Sequence, residues 1–255
     1  MDPQALLLLA LAGLVAGAVN ALAGGGTIFT FSALMAAGLP PVTANATSAV
    51  SVLPGQIAAA LAYRREIAAS ARHLLPLLLV SAVGGTAGGL LLLATDPALF
   101  RGLVPWLILL ATLLFAAAPR IAALGERLAA RRAAAIATGP GPGATTLQGL
   151  VAVYGGYFGA GMGIMMLATL SLTEGRDFHR LNAAKNALTS VMQGLAVAVF
   201  VLSGAVHWPS VAVVAAASVA GGWASVAVGR LVPQGAIRLL VILTGLGLTL
   251  WYLLA

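Results

Sequence analysis

Gln4–Thr27 reads QALLLLALAGLVAGAVNALAGGGT: an uncharged, almost wholly apolar run through Ala23, then three glycines and a threonine. A helix needs about 20 apolar residues to cross the hydrocarbon of a bilayer, and this run has that length. The rest of the chain is of the same kind. Of 255 residues, 61% are hydrophobic and 7% charged, and the mean hydropathy is +1.04. A soluble domain so composed would expose large apolar patches, whereas lipid accepts them. The apolar runs are continuous rather than alternating, which selects helices over a membrane barrel. Met1-Asp2-Pro3-Gln4 lacks the basic residues that open a cleavable leader, so the first helix is expected to stay in the mature protein.

Apolar segments fall at 4–23, 27–38, 43–63, 73–94 and 101–118, then at 148–160, 163–173, 182–203, 207–229 and 236–255. Between the sets lies 119–147, with Arg120, Arg127, Arg131, Arg132 and the run Gly139-Pro140-Gly141-Pro142-Gly143, which reads as a loop and the one clear linker. The sets superpose without a gap. The offset that carries Gly26 onto Gly163 also carries Gly24 onto Gly161, Asn45 onto Asn182, Gln56 onto Gln193, Ser81 onto Ser218, Gly84-Gly85 onto Gly221-Gly222 and Arg101 onto Arg238. Glycines coincide easily in a chain with 31 of them, but Asn, Gln and Arg are scarce here. Their agreement at one offset marks an internal duplication. Its units are 1–118 and 148–255.

Charge orients the units. With 119–147 in the cytoplasm and five segments per unit, every Lys and Arg except Arg101 falls on the cytoplasmic side, including an Arg64–Arg72 loop. An odd number of segments makes the repeats inverted. The expected fold is therefore an all-α polytopic membrane protein of two inverted five-segment repeats, about ten segments in all, with both termini periplasmic in a bacterial inner membrane. The net charge of +7 comes from isolated or paired basic residues flanking apolar runs. That pattern suits a membrane, and no nucleic-acid partner is expected.

Each repeat is interrupted at the same position, by Ala23-Gly24-Gly25-Gly26-Thr27 and by Gly159-Ala160-Gly161-Met162-Gly163. Irregular backbone at membrane depth is tolerated only where protein buries it or a wet cavity meets it, and paired breaks point to a binding site. The helix that starts after each break offers amide N–H groups and a positive dipole end to an anion. Close helix packing is the competing use of such glycines. The next segment carries a polar face in both repeats: Asn182, Lys185, Asn186, Thr189 and Gln193, matched by Asn45, Ser48 and Gln56 with Thr47 just beside it. The competing role of these residues is bonding between helices.

Other chemistries lack support. All six acids lie in loops or near segment ends, so a cation pathway would have no intramembrane carboxylate. There is no Cys, and His73, His179 and His207 are scattered near membrane edges without metal-ligand spacing. No Ser has a base and an acid in register for hydrolysis. The glycines of 159–163 follow no β-strand, so they are not a dinucleotide fingerprint. No metal, cofactor or enzymatic activity is expected.

The motifs Ala16-Gly17-Ala18-Val19-Asn20-Ala21-Leu22-Ala23-Gly24-Gly25-Gly26-Thr27, Ala62-Tyr63-Arg64-Arg65, Gly155-Gly156-Tyr157-Phe158-Gly159-Ala160-Gly161-Met162-Gly163 and Ala183-Ala184-Lys185-Asn186 resemble those of the TauE/SafE sulfite exporters, also called the toluene-sulfonate uptake permease family. The resemblance spans nearly the whole chain. It implies a secondary transporter of sulfite, organosulfonates or related small organic anions, with lipid and a small anionic substrate as partners. It also implies that the glycine breaks and the polar helix starts line the substrate path. On those combined grounds the candidate substrate-binding residues are Asn20, Gly24, Gly25, Gly26, Thr27, Asn45, Thr47, Ser48, Gln56, Tyr157, Gly161, Gly163, Lys185, Asn186, Thr189 and Gln193. Members of the family often carry an acid where this chain has Asn20, and some carry Lys near Ser48. Lys185 would then supply the pocket's single fixed positive charge. The alternative is a membrane scaffold or assembly factor that does not transport; it lacks the large partner-binding loop such a role would favour.

Overall fold

A computed structural model describes residues 2–22, 25–131, 141–171, 178–228 and 234–254. These residues form ten helices: α1 (Pro3–Leu22), α2 (Thr27–Ala36), α3 (Pro41–Ala62), α4 (Arg64–Ala94), α5 (Pro97–Arg131), α6 (Pro142–Tyr157), α7 (Met162–Ser171), α8 (Phe178–Leu202), α9 (Trp208–Val228) and α10 (Gln234–Leu254). Among the described residues, four stretches are long and apolar enough to cross a membrane: Pro3–Asn20, Arg64–Ala94, Pro97–Ile121 and Arg180–Leu202. By contrast α2 and α7 have 10 residues each. Such a helix is about 15 Å long, half the hydrocarbon depth.

Local chemistry sets several helix ends. Gly38 takes φ +89° after α2, and the Leu39 amide bonds back to Leu34 O at 3.1 Å. This is the glycine-terminated cap that satisfies the last carbonyls of a helix. Asp96 starts α5 by accepting the amides of Ala98 and Leu99 at 2.8 and 3.2 Å, with Pro97 at the first helical position.

Two stretches read as loops are partly helical. Tyr63 alone separates α3 from α4, so the expected Arg64–Arg72 loop is the first two turns of a 31-residue helix. Arg64-Arg65-Glu66 and the alanines after them are good helix formers, and Glu66 suits the first turn. Likewise α5 continues through Pro119 to Arg131, and α6 begins at Pro142. Within the 119–147 stretch, residues 132–140, which include Gly139 and Pro140, lie outside the described residues.

Packing is reciprocal. The first helix lies along α9 and the sixth along α4, both through glycines. Gly17 and Gly221 leave no room for a Cβ against the backbone of Ser218 and Leu14. A Cβ on Gly88 would meet the Tyr157 amide at 2.7 Å, and Gly156 abuts the backbone of Gly85. Such contacts substitute for the hydrophobic effect, which has little to offer between helices in lipid. Meanwhile α3 packs on α8 and α9, and α5 on α10 and α7. Outward-facing Val83, Leu202 and Trp223 are largely exposed, as side chains meeting lipid would be.

Candidate functional site

The breaks between α1 and α2 and between α6 and α7 converge on one helix. At the first, Gly25 has φ +88°, and a Cβ there would meet the Phe115 ring at 3.3 Å. At the second, Gly159 and Gly161 have φ +78° and +74°, and a Cβ on Gly161 would meet the Ala111 Cα at 3.2 Å. Only glycine adopts such backbone without strain. Ala111 and Phe115 are one turn apart on α5, so their Cβ atoms are about 6 Å apart. Val19 of α1, Phe115 of α5 and Val241 of α10 form a buried cluster flanked by Phe29 of α2 and Ile164 of α7. Both breaks therefore border one small apolar core.

Around the first break the polar groups satisfy one another. Asn20 Oδ1 accepts the Gly26 N–H at 2.8 Å, capping α2 from the end of α1. Thr30 and Ser48 share a buried hydrogen bond of 2.6 Å between α2 and α3, and Thr30 Oγ1 also reaches the Thr27 carbonyl at 3.1 Å. Gly26 is packed against the Ala16 backbone. Gly24 lies outside the described residues.

The second break differs. Lys185 is half-buried, and its Cδ lies 3.9 Å from where a Gly163 Cβ would stand. Its ammonium donates to Asn182 Oδ1 at 3.3 Å. Gln193 is 3% exposed, its amide faces Gly159, and its Oε1 has no hydrogen-bond partner. A buried carbonyl oxygen without a partner costs free energy that a bound group or a water can recover. Tyr154 Oη donates to the Ala160 carbonyl at 2.7 Å and so braces the break.

Other candidates occupy the seams between helices. Asn45 Nδ2 donates to the Tyr157 carbonyl at 2.9 Å, tying α3 to the end of α6. The Tyr157 hydroxyl turns away from the break toward Thr95 Oγ1, at 3.4 Å. Thr47 accepts the His207 amide at 3.0 Å, which anchors the α8–α9 turn. Thr189 donates to the Met166 sulfur at 3.4 Å. Gln56 Oε1, like that of Gln193, is buried without a partner, while the Gln56 carbonyl accepts from Ser190 Oγ at 3.3 Å. Asn186 is half-buried on α8. The structure thus gathers Gly159, Gly161, Gly163, Lys185 and Gln193, with Asn20, Gly25 and Gly26 across the small core; Thr47 and the Tyr157 side chain point elsewhere. Missed at the sequence level were Ala111, Phe115, Thr30 and Tyr154. No polarity or repeat match distinguishes the first two, and Thr30 pairs with Leu167 at the repeat offset.

Among the described residues, no three His, Asp or Glu side chains gather where a metal ion could sit. Among the described residues at this break the groups on offer are one ammonium, amide groups and a helix start, the kinds of group that can engage an anion.

The family model for the sulfite exporter TauE/SafE matches residues 9–252. A probable membrane transporter protein of Haemophilus influenzae is 30% identical over 210 residues, covering 82% of this chain and 79% of the relative. The probable membrane transporter protein ORF9 of a Sinorhizobium species is 28% identical over 203 residues, covering 80% and 75%. The probable membrane transporter protein YfcA of Escherichia coli K12 is 28% identical over 208 residues, covering 82% and 74%. No solved structure matches the chain.

Proposed function

The chain belongs to the sulfite exporter TauE/SafE family of multi-pass membrane transporters, and from that premise we propose that it is a secondary transporter of small, singly charged anions such as sulfite in its hydrogensulfite form, organosulfonates or related organic anions. One observation carries the reading: the two glycine breaks meet adjacent turns of α5, and one of them holds Lys185 and the unpartnered Gln193 oxygen. A single half-buried ammonium is best balanced by a single negative charge, since a second would find no fixed partner among the groups described at the break.

The repeats 1–118 and 148–255 are inverted in this reading, and the anion is exposed to each side in turn as one repeat rocks against the other around the breaks. The reciprocal packing of α1 on α9 and α6 on α4 supports it, because the repeat offset exchanges those two pairs. Residues 119–147 then form the cytoplasmic linker, and both termini face the periplasm of a bacterial inner membrane.

A thermal-shift screen of the purified protein against sulfite, sulfate, sulfoacetate, taurine and dicarboxylates tests the proposal, because a specific ligand stabilises by mass action. Stabilisation by singly charged sulfur oxyanions is expected. A flat response to every anion, with no uptake or efflux of any of them in proteoliposomes, would exclude the proposal.

A further inference from the structure

The outer face of the α4–α6 pair carries a groove of about 350 Å³ that is apolar throughout. Leu79, Val83 and Ala87 of α4 and Val153 of α6 form its walls, with Gly84 and Gly149 among its lining residues. Glycine lets the helices close at the base: a Cβ on Gly84 would meet the Ala152 Cβ at 2.6 Å, and one on Gly149 would meet Val80 at 3.1 Å. The rim opens sideways, with Leu79 60% and Val83 71% exposed. Its walls offer nothing for water to bond.

Charge lies at one end of this groove. Arg72, Leu79, Val83 and Ala87 follow helical spacing along one face of α4, and Arg72 is exposed about 10 Å before Leu79. The two helices run parallel: Gln148 Nε2 donates to Ser81 Oγ at 2.9 Å, while Gly88 packs against Val153 and Tyr157 further on. The start of α6 at Pro142 therefore lies toward the Arg72 end. Helical register thus puts Arg72 and the start of α6 toward the same end of the pair, each about 10 Å ahead of the slot's first lining residues, Leu79 and Gly149.

We propose that this groove holds an acyl chain of an anionic phospholipid, with the lipid phosphate at Arg72 and the amino end of α6. Apolar length in line with a cation is the shape of a single lipid lying along a helix. A second copy of the chain would have to cover Arg72 with an acid, and the chain has 6 acids against 13 basic residues. The site is independent of the transported anion and lies on the outer surface, away from the breaks.

Native mass spectrometry of the purified full chain, titrated with phosphatidylglycerol and with phosphatidylcholine of the same acyl chains, tests this. Phosphatidylglycerol should be retained about fivefold better, the effect of one basic residue near a headgroup. Arg72→Gln should erase that preference, while Arg101→Gln, exposed at the start of α5, should keep it. Ala87→Trp should fill the slot and lower retention of both lipids; Val83→Ser, which makes the wall polar, should act in the same direction. Equal retention of the two lipids by the unaltered protein would overturn the proposal, as would a preference that survives Arg72→Gln or disappears in Arg101→Gln. Displacement by glycerol phosphate alone would make this a phosphate site without a tail. A dimer mass lost in Ala87→Trp while lipid binding persists would make the groove a self-interface.

Discussion

At the first break Asn20 caps Gly26 and Thr30 closes on Ser48; at the second, Lys185 lies beside Gly163 and the Gln193 oxygen is left without a partner. The repeat offset places Ser48 on Lys185 and Asn20 on Tyr157. Similar backbone interruptions therefore carry different chemistry. At the first, Asn20, Gly26, Thr30 and Ser48 answer one another, as a structural joint requires. The buried Gln56 oxygen on α3 lacks a partner just as that of its counterpart Gln193 does, so what separates the two breaks is the Lys185 charge. The second keeps a charge beside its glycines. In the proposed transport, one charged break is enough to set the sign of the cargo.

The comparison presupposes that the repeats are inverted, and the largest expected effect tests that. Glu66 and Ser203 are counterparts at the repeat offset, both are exposed, and the chain has no Cys of its own. In inverted repeats they face opposite sides of the membrane. An impermeant thiol reagent applied to whole cells should label Ser203→Cys and leave Glu66→Cys unlabelled until the membrane is opened. Equal labelling in intact cells would make the repeats parallel and dissolve the comparison.

Next in size is the cost of filling each break. Gly161→Leu meets the Ala111 backbone and must hold φ +74°; Gly25→Leu holds φ +88° but meets the edge of the Phe115 ring, which can turn. Left-handed backbone costs a non-glycine residue about 1–2 kcal/mol in either place, so the difference lies in the neighbour. Anion transport should be abolished in Gly161→Leu and strongly reduced in Gly25→Leu, in protein that still inserts and purifies. Full transport by both would mean that the glycines serve packing alone.

Much of this frame was legible in the sequence because the bilayer imposes it. Each of the ten apolar segments falls on a helix, although among the described residues only four stretches are long and apolar enough to cross a membrane. An apolar run in lipid has few other ways to satisfy its backbone. Hydropathy failed where helices leave the hydrocarbon: Arg64–Arg72 and the end of α5 are charged, so they read as loops, although their residues favour helix. The breaks were visible as glycine clusters. Their shared neighbour was not, because helical periodicity says which face of α5 is apolar and not which helix lies against it. For the same reason the sequence puts Thr47 beside the polar face without showing that its hydroxyl accepts the amide of His207.

A tenfold effect is expected from Lys185→Gln. This variant keeps most of the length and some of the donors but loses the charge, so affinity for the best anion of the thermal screen should fall tenfold or more, about 1.4 kcal/mol. Lys185→Arg should recover only part of it, because the planar guanidinium presents its donors differently. Titration calorimetry reads both. Unchanged affinity in Lys185→Gln would leave the lysine as an anchor bonded to Asn182, and the second break no more chemical than the first.

The smallest expected effect belongs to the counterpart of Lys185. Ser48→Ala removes one side of the 2.6 Å bond with Thr30 in a fully buried position. Thr30 keeps its bond to the Thr27 carbonyl, so no donor is orphaned, and the loss should stay near 1 kcal/mol or below. It should show as a small fall in melting temperature with anion affinity unchanged. The informative quantity is the pair of readouts: Ser48→Ala moves stability and spares binding, while Lys185→Gln moves binding and spares stability. If Ser48→Ala instead weakened the anion as much as Lys185→Gln does, the ligand would span both breaks.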